Sequence, residues 1–138
     1  MLNSSPTSPR STRASRADLV ALAAALAELA RRREPLGDFI PRVTPRWRRP
    51  DHLAPLLSLL ERAARGERVF ACVSVPPRHG KTETLLHAIA WWLRRAPADT
   101  LAYVSYAAQV AESKSDLART YARNAGVVLR EDRGSLSE

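Results

Sequence analysis

An α/β fold, with helices leading into a parallel βαβ core, is the class this sequence predicts, and three stretches predict it. The first is an apolar run, Arg68 to Val75, rich in β-branched and aromatic residues and ending at Pro76-Pro77-Arg78-His79-Gly80-Lys81-Thr82. The second, Thr82 to Arg95, contains no Gly or Pro and has a helical pattern. The third, Thr100 to Tyr106, is another apolar run. Apolar runs of this length are typical of strands buried in a parallel sheet. A strand, helix, strand succession of this length forms a right-handed crossover. With a phosphate-type loop between the first strand and its helix, the expected fold is a partial P-loop fold.

The loop carries the chemistry. Against the pattern G-x-x-x-x-G-K-[ST], Gly80, Lys81 and Thr82 match the last three positions, while Val75 occupies the first glycine position. The amides at a helix N-terminus and the helix dipole both favour a phosphate there. Lys81 is placed to reach β and γ phosphates, and the Thr82 hydroxyl to hold Mg2+. The same residues also fit an ordinary turn into a helix, in which Pro76 and Pro77 fix φ, Gly80 relaxes the backbone and Lys81 is solvated.

The 138 residues suffice for one modest domain with one core. The net charge of +8 is uneven, because residues 1 to 50 hold ten Arg against four acids. Such an excess suits nucleic acid or serves as a solubilising tail. Only Lys81 and Lys114 are lysines among 22 basic residues, which makes a lysine inside the loop notable. A lone Cys72 excludes an internal disulfide and is expected to be a small core residue. No apolar run approaches the roughly 20 residues that cross a bilayer.

Along the chain, residues 1–17 are Ser-, Pro- and Arg-rich without an acid and are expected to form a disordered basic tail. Residues 18–50 comprise a helix and a connector. Leu19, Leu22, Leu26 and Leu29 recur at helical spacing from Asp18 to Arg33, with Ser15 and Asp18 placed as a capping box. The connector is rich in Pro and Arg; its four Arg, Arg42, Arg46, Arg48 and Arg49, with Trp47 between them fit either a nucleic-acid backbone or a loop pinned by a buried Trp. Residues 51–138 are expected to form an incomplete P-loop ATPase domain. It opens with a helix from His52 to Arg65 stopped by Gly66; by analogy with P-loop motors Pro50, His52 or Leu53 would border a nucleotide base, while His52 fits equally a helix cap or a surface residue. It closes with a long helix, Ala107 to Leu129, and an unpatterned tail, Arg130 to Glu138.

Several of these stretches, in order, resemble the large terminase subunit of tailed bacteriophages, the motor that packages viral DNA into procapsids. They are Asp38-Phe39-Ile40 with Val43-Thr44-Pro45, His52-Leu53, the loop Pro76 to Glu83, Trp91-Trp92, and Val104-Ser105-Tyr106 before an Ala- and Ser-rich helix. The resemblance covers roughly residues 36–138, and the family's loop shares the departure at the first glycine. It implies an ATP- and Mg2+-binding ATPase portion. Lys81 and Arg78 are the candidate catalytic residues. Pro77, Arg78, His79, Gly80, Lys81, Thr82 and His52 are the candidate nucleotide-binding residues, and Thr82 is the Mg2+ ligand. It also implies double-stranded viral DNA, the phage portal and the small terminase subunit as partners, with homo-oligomer formation possible, and the cytoplasm of a bacterial host as location.

Hydrolysis by this class needs an apolar strand ending in Asp-Glu to hold Mg2+ and polarise water. Asp99, Asp116, Glu131 and Asp132 all lack such a strand before them. Neither a Walker B acid pair nor a nuclease domain is visible, so the expected protein is a truncated, non-hydrolytic N-terminal portion. The alternatives are a non-enzymatic DNA- or protein-binding remnant and part of another P-loop NTPase, such as a helicase-like protein.

Overall fold

The computed structural model describes residues 14–129. The expected tails, residues 1–17 but for the last four and Arg130 to Glu138, lie outside the described residues. The chain divides into two compact units, Met1–Arg31 and Arg32–Glu138. Among the described residues there are five helices, α1 (Arg16–Arg33), α2 (Leu36–Val43), α3 (Ala54–Ala64), α4 (Lys81–Arg95) and α5 (Ala108–Asn124), with one 3-10 turn, Asp51–Leu53, leading into α3.

In the first unit, α1 starts at the expected capping box. The Ser15 amide donates to Asp18 Oδ2 at 2.9 Å, and the Asp18 amide donates back to Ser15 Oγ at 3.2 Å. Hydrogen bonds to its carboxylate from the Ser15 amide and, second, from the Ser15 hydroxyl hold the Asp18 carboxyl below its ordinary range. Leu19, Leu22, Leu26 and Leu29 are each more than half exposed.

In the second unit, α2 occupies a stretch expected to be irregular. Leu36, Phe39 and Ile40 are fully buried and Val43 packs beside them, which is helical spacing hidden in the sequence by Pro35, Gly37 and Pro41. Pro35 stands at the N-cap, where no amide is needed. The Leu36 amide at the helix start donates to Glu61 Oε1 of α3 at 2.8 Å, so a side chain from a neighbouring helix caps α2. Trp47 is half-buried against the core, the reading in which it pins a loop.

Helices α3 and α5 stop where the sequence places glycines. After α5 the Val127 amide donates to Ala122 O and the Gly126 amide to Arg123 O, with Gly126 at φ 78°. This Schellman arrangement requires a left-handed residue, which glycine adopts without steric cost. It ends α5 at Asn124, five residues short of the expected Leu129.

The parallel βαβ core does not form: the described residues contain no strand, and the fold is all-helical. Both expected strands are extended single segments. Val69, Val73 and Val75 are half-buried while Phe70, Cys72 and Ser74 are exposed; Leu101, Tyr103 and Ser105 alternate likewise with exposed Ala102, Val104 and Tyr106. The second segment thus alternates with a period of two, and the first does so except at exposed Ala71. A strand, however, also requires a neighbouring backbone about 4.8 Å away to pair its amides and carbonyls, and neither segment has one among the described residues. Cys72 falls on an outward position and is exposed, not buried as the sequence suggested.

The core is instead a helical cluster. Leu36, Phe39 and Ile40 of α2 meet Leu57 of α3, Leu86, Ala88, Ala90 and Trp91 of α4, and Ala118, Tyr121 and Ala122 of α5. Small alanines on both α4 and α5 let these helices approach closely. Trp91 is anchored by its Nε1 donating to Glu34 O at 2.8 Å and by the Arg95 guanidinium 4.7 Å from its ring centre. Truncating Phe39, which has no exposed surface, leaves a cavity at the centre of this cluster. Phe39→Ala is expected to cost about 3 to 5 kcal/mol, read as a lowered denaturant midpoint with little change in slope.

Candidate functional site

The loop leaves the extended segment at Val75, turns at Pro77-Arg78 and enters α4 at Lys81. Two residues hold left-handed backbone: Arg78 at φ 64° and Gly80 at φ 82°. Gly80 is the N-cap, and its carbonyl accepts the first helical bond, from the Thr84 amide at 2.9 Å. A Cβ at Gly80 would fit the space, 3.4 Å from Leu53, so its need for glycine is conformational. Arg78 bears that strain without glycine's freedom, a feature more frequent at ligand-binding loops than elsewhere.

Hydrogen bonds from two histidines hold the turn. His79 Nδ1 donates to Pro77 O at 2.9 Å, and His52 Nε2 donates to His79 O at 3.1 Å. The imidazoles meet edge to face at 5.6 Å. The 3-10 turn ahead of α3 thus braces the loop, with Leu53 and Pro50 beside Gly80. The sequence placed His52 near the nucleotide base; the structure places it against the loop, outside the lining of the adjoining cavity.

That cavity, about 440 Å3, is lined by Val75 through Glu83 and by Lys114 of α5. It gathers Pro77, Arg78, His79, Gly80, Lys81 and Thr82, six of the seven candidate nucleotide-binding residues. Its volume lies within the range of small-molecule sites. The charged lining is three cations, Arg78, Lys81 and Lys114, against one carboxylate, Glu83. The amides opening α4 lack intrahelical acceptors, and the helix dipole adds positive potential in the same direction. Anions of the size of a phosphate chain fit such a lining.

Two of the lining residues, Glu83 and Lys114, were not singled out by the sequence. For Glu83 the available signal was its four-residue spacing from His87 on a predicted helix. For Lys114 it was lysine's rarity in this chain.

A buried polar network lies behind the first turn of α4. His87 has no exposed surface; its Nδ1 donates to Glu83 O at 2.9 Å, which makes Nε2 the acceptor for the Thr44 hydroxyl at 2.8 Å. Its ring stacks on Tyr121 with centres 3.8 Å apart, and the Tyr121 hydroxyl donates to Glu83 Oε1. Burial pushes the His87 imidazolium below its ordinary value of 6.5, against smaller opposing effects from Glu83. Burial and the Glu83 carboxylate, in that order, push the Tyr121 phenol well above its ordinary range.

A Mg2+ ion would obtain little from the protein alone. No group of three or more His, Cys, Asp or Glu side chains among the described residues is arranged to hold a metal. The donor set fits Mg2+ carried by phosphate oxygens, with the Thr82 hydroxyl as one ligand, since this ion keeps waters and relies on substrate phosphates. No described helix is long and apolar enough to cross a membrane.

The lowered His87 value fixes the sign of a pH effect. The unfolded chain binds this proton near the ordinary value while the folded chain resists it. Stability is therefore complete above about pH 6.5 and falls as the pH descends below it. Asp18 and Glu67, whose carboxyl values are lowered, titrate below this window. The melting temperature is expected to hold from pH 8 to 7 and drop between pH 6.5 and 5, with the drop much reduced in His87→Gln.

Searches against protein-family models, curated proteins and solved structures found no match for this chain.

Proposed function

We propose that this chain is the nucleotide-binding portion of a DNA-packaging terminase large subunit, seating ATP with Mg2+ on the loop Pro77 to Thr82. One observation carries this reading: a loop with two left-handed residues opens a buried helix onto a cavity lined by Arg78, Lys81 and Lys114. The place of the motif residues Gly80, Lys81 and Thr82 at the start of α4 supports the reading. The cap glycine turns the chain into α4, Lys81 follows at its first position, and Thr82 supplies a hydroxyl beside it.

The residues divide the work as their chemistry dictates. Loop and first-turn amides bind the phosphate oxygens, and Lys81 neutralises their charge as a point contact. The Thr82 hydroxyl would hold an Mg2+ ion carried by the phosphates. Arg78 lines the same cavity and is exposed, so its planar guanidinium is available to spread over a transferring phosphate. Mg2+, when bound, would supply further neutralisation of the phosphate charge. Glu83 is engaged by Tyr121 and stands as a structural carboxylate. No acid of the form that polarises an attacking water follows Lys81 in the sequence, so the activity proposed for these 138 residues is binding, with turnover negligible.

The partners follow from the same reading. Arg46, Arg48 and Arg49 are exposed around half-buried Trp47, leaving their cations available to the phosphate backbone of double-stranded DNA. The portal and small subunit, and the cytoplasm of a bacterial host, belong to the proposal through the family resemblance.

Equilibrium titration with ATP in Mg2+ is the test. Wild type is expected to bind, and Lys81→Ala to weaken binding at least about tenfold, the loss expected for a charge-assisted phosphate contact. ATP binding indifferent to Lys81→Ala, or ATPase turnover that Lys81→Ala reduces, would overturn the respective halves of the proposal.

A further inference from the structure

The cavity holds a second lysine that the loop motif does not account for. Lys81 and Lys114, the two lysines among 22 basic residues, stand on different helices and line the same space. Both are half-buried, and neither has a hydrogen-bond or ion-pair partner among the described residues. The carboxylate at the cavity, Glu83, accepts from the Tyr121 hydroxyl and pairs with neither lysine. Two ammonium groups lining one space repel each other, and an anion between them is attracted to both.

The position of Lys114 is fixed by helix docking. Lys114, Ala118 and Tyr121 follow at spacings of four and three along one face of α5, and Ala118 and Tyr121 of that face are buried. The Tyr121 bond to Glu83 and its stack on His87 hold the face against the first turns of α4. Lys114 also borders the apolar cavity formed with Leu86, Ile89 and Ala118. A lysine at such a boundary lays its methylene stem along apolar surface and turns its ammonium to the polar side.

We propose that Lys114 is a second phosphate ligand, contacting the terminal phosphate of a bound nucleoside triphosphate, so that the cavity discriminates triphosphate from diphosphate. This rests on the nucleotide reading above. The amides of the loop and of the first turn of α4 supply the contacts to the inner phosphates. α5 meets the cavity outside the loop, where the outermost phosphate projects. Loss of that phosphate leaves Lys114 unpartnered again, which links α5 to the state of the nucleotide.

The scarcity of lysine makes a direct test practical. The full chain is acetylated briefly with acetic anhydride, alone and with saturating ATP, ADP or inorganic tripolyphosphate in Mg2+, and modification at Lys81 and Lys114 is read by mass spectrometry. ATP and tripolyphosphate are expected to protect both lysines, and ADP to protect Lys81 but leave Lys114 reactive. In parallel titrations, Lys114→Ala and Lys114→Gln are expected to weaken ATP at least about tenfold and ADP less than about threefold.

Equal loss of both nucleotides in these variants, or Lys114 acetylated at the same rate with and without ATP while Lys81 is protected, overturns the inference and leaves the nucleotide reading standing. Protection of Lys114 by tripolyphosphate without any binding of ATP keeps a polyphosphate contact at Lys114 and removes the nucleotide. A wild-type chain that binds none of the three ligands removes both.

Discussion

The first turn of α4 is held from behind by one buried imidazole. His87 bonds to Glu83 on its own helix and to Thr44 just past α2, and its ring stacks on Tyr121 of α5. Three helices thereby meet at the turn that presents Lys81 and Thr82. A neutral imidazole suits this place because one nitrogen donates while the other accepts, satisfying a carbonyl and a hydroxyl at once. A charged imidazole would require desolvation at a fully buried position, which is why burial opposes protonation there. The geometry of the loop rests on this satisfied, uncharged contact between its helix and the neighbouring ones.

The front of the same turn has the opposite electrostatic character. Arg78, Lys81 and Lys114 line a cavity where the helix dipole already favours negative charge, and the one carboxylate among the lining residues, Glu83, is engaged by the Tyr121 hydroxyl. A protein stabilised only by its own contacts would gain from placing acids there. Cationic character has instead been kept at the mouth, while the histidine braces behind Pro77 and His79 hold the loop in shape. Preorganisation of that kind lowers the ordering cost of binding an anion.

How much was legible in the sequence depended on the range of the interactions. Local signals were readable: the Ser15 and Asp18 box starts α1, Gly66 follows the end of α3, and Gly80-Lys81-Thr82 opens α4, whereas Gly126 stops α5 short of the Leu129 that the helical pattern suggested. Leucine spacing located α3, while proline and glycine concealed α2, whose Leu36, Phe39 and Ile40 are nonetheless at the centre of the core. The strands failed for a different reason. Arg68 to Val75 and Thr100 to Tyr106 have strand composition, and their alternating exposure shows extended backbone, yet a ladder is a property of two segments and composition describes one. Of the site, the loop through Glu83 was visible, whereas Lys114 enters it through the packing of α5 on α4, which no local pattern encodes.

Amide hydrogen exchange on the full chain, with and without saturating ATP and Mg2+, tests most directly whether this loop is a nucleotide seat. Protection is expected at the amides from Arg78 to Glu83, with exchange in α3 largely unchanged, because the ligand replaces water at the donors that open α4. Unaltered exchange across Arg78 to Glu83 at saturating ATP would contradict a phosphate-binding role for the loop and leave it a braced turn into a buried helix.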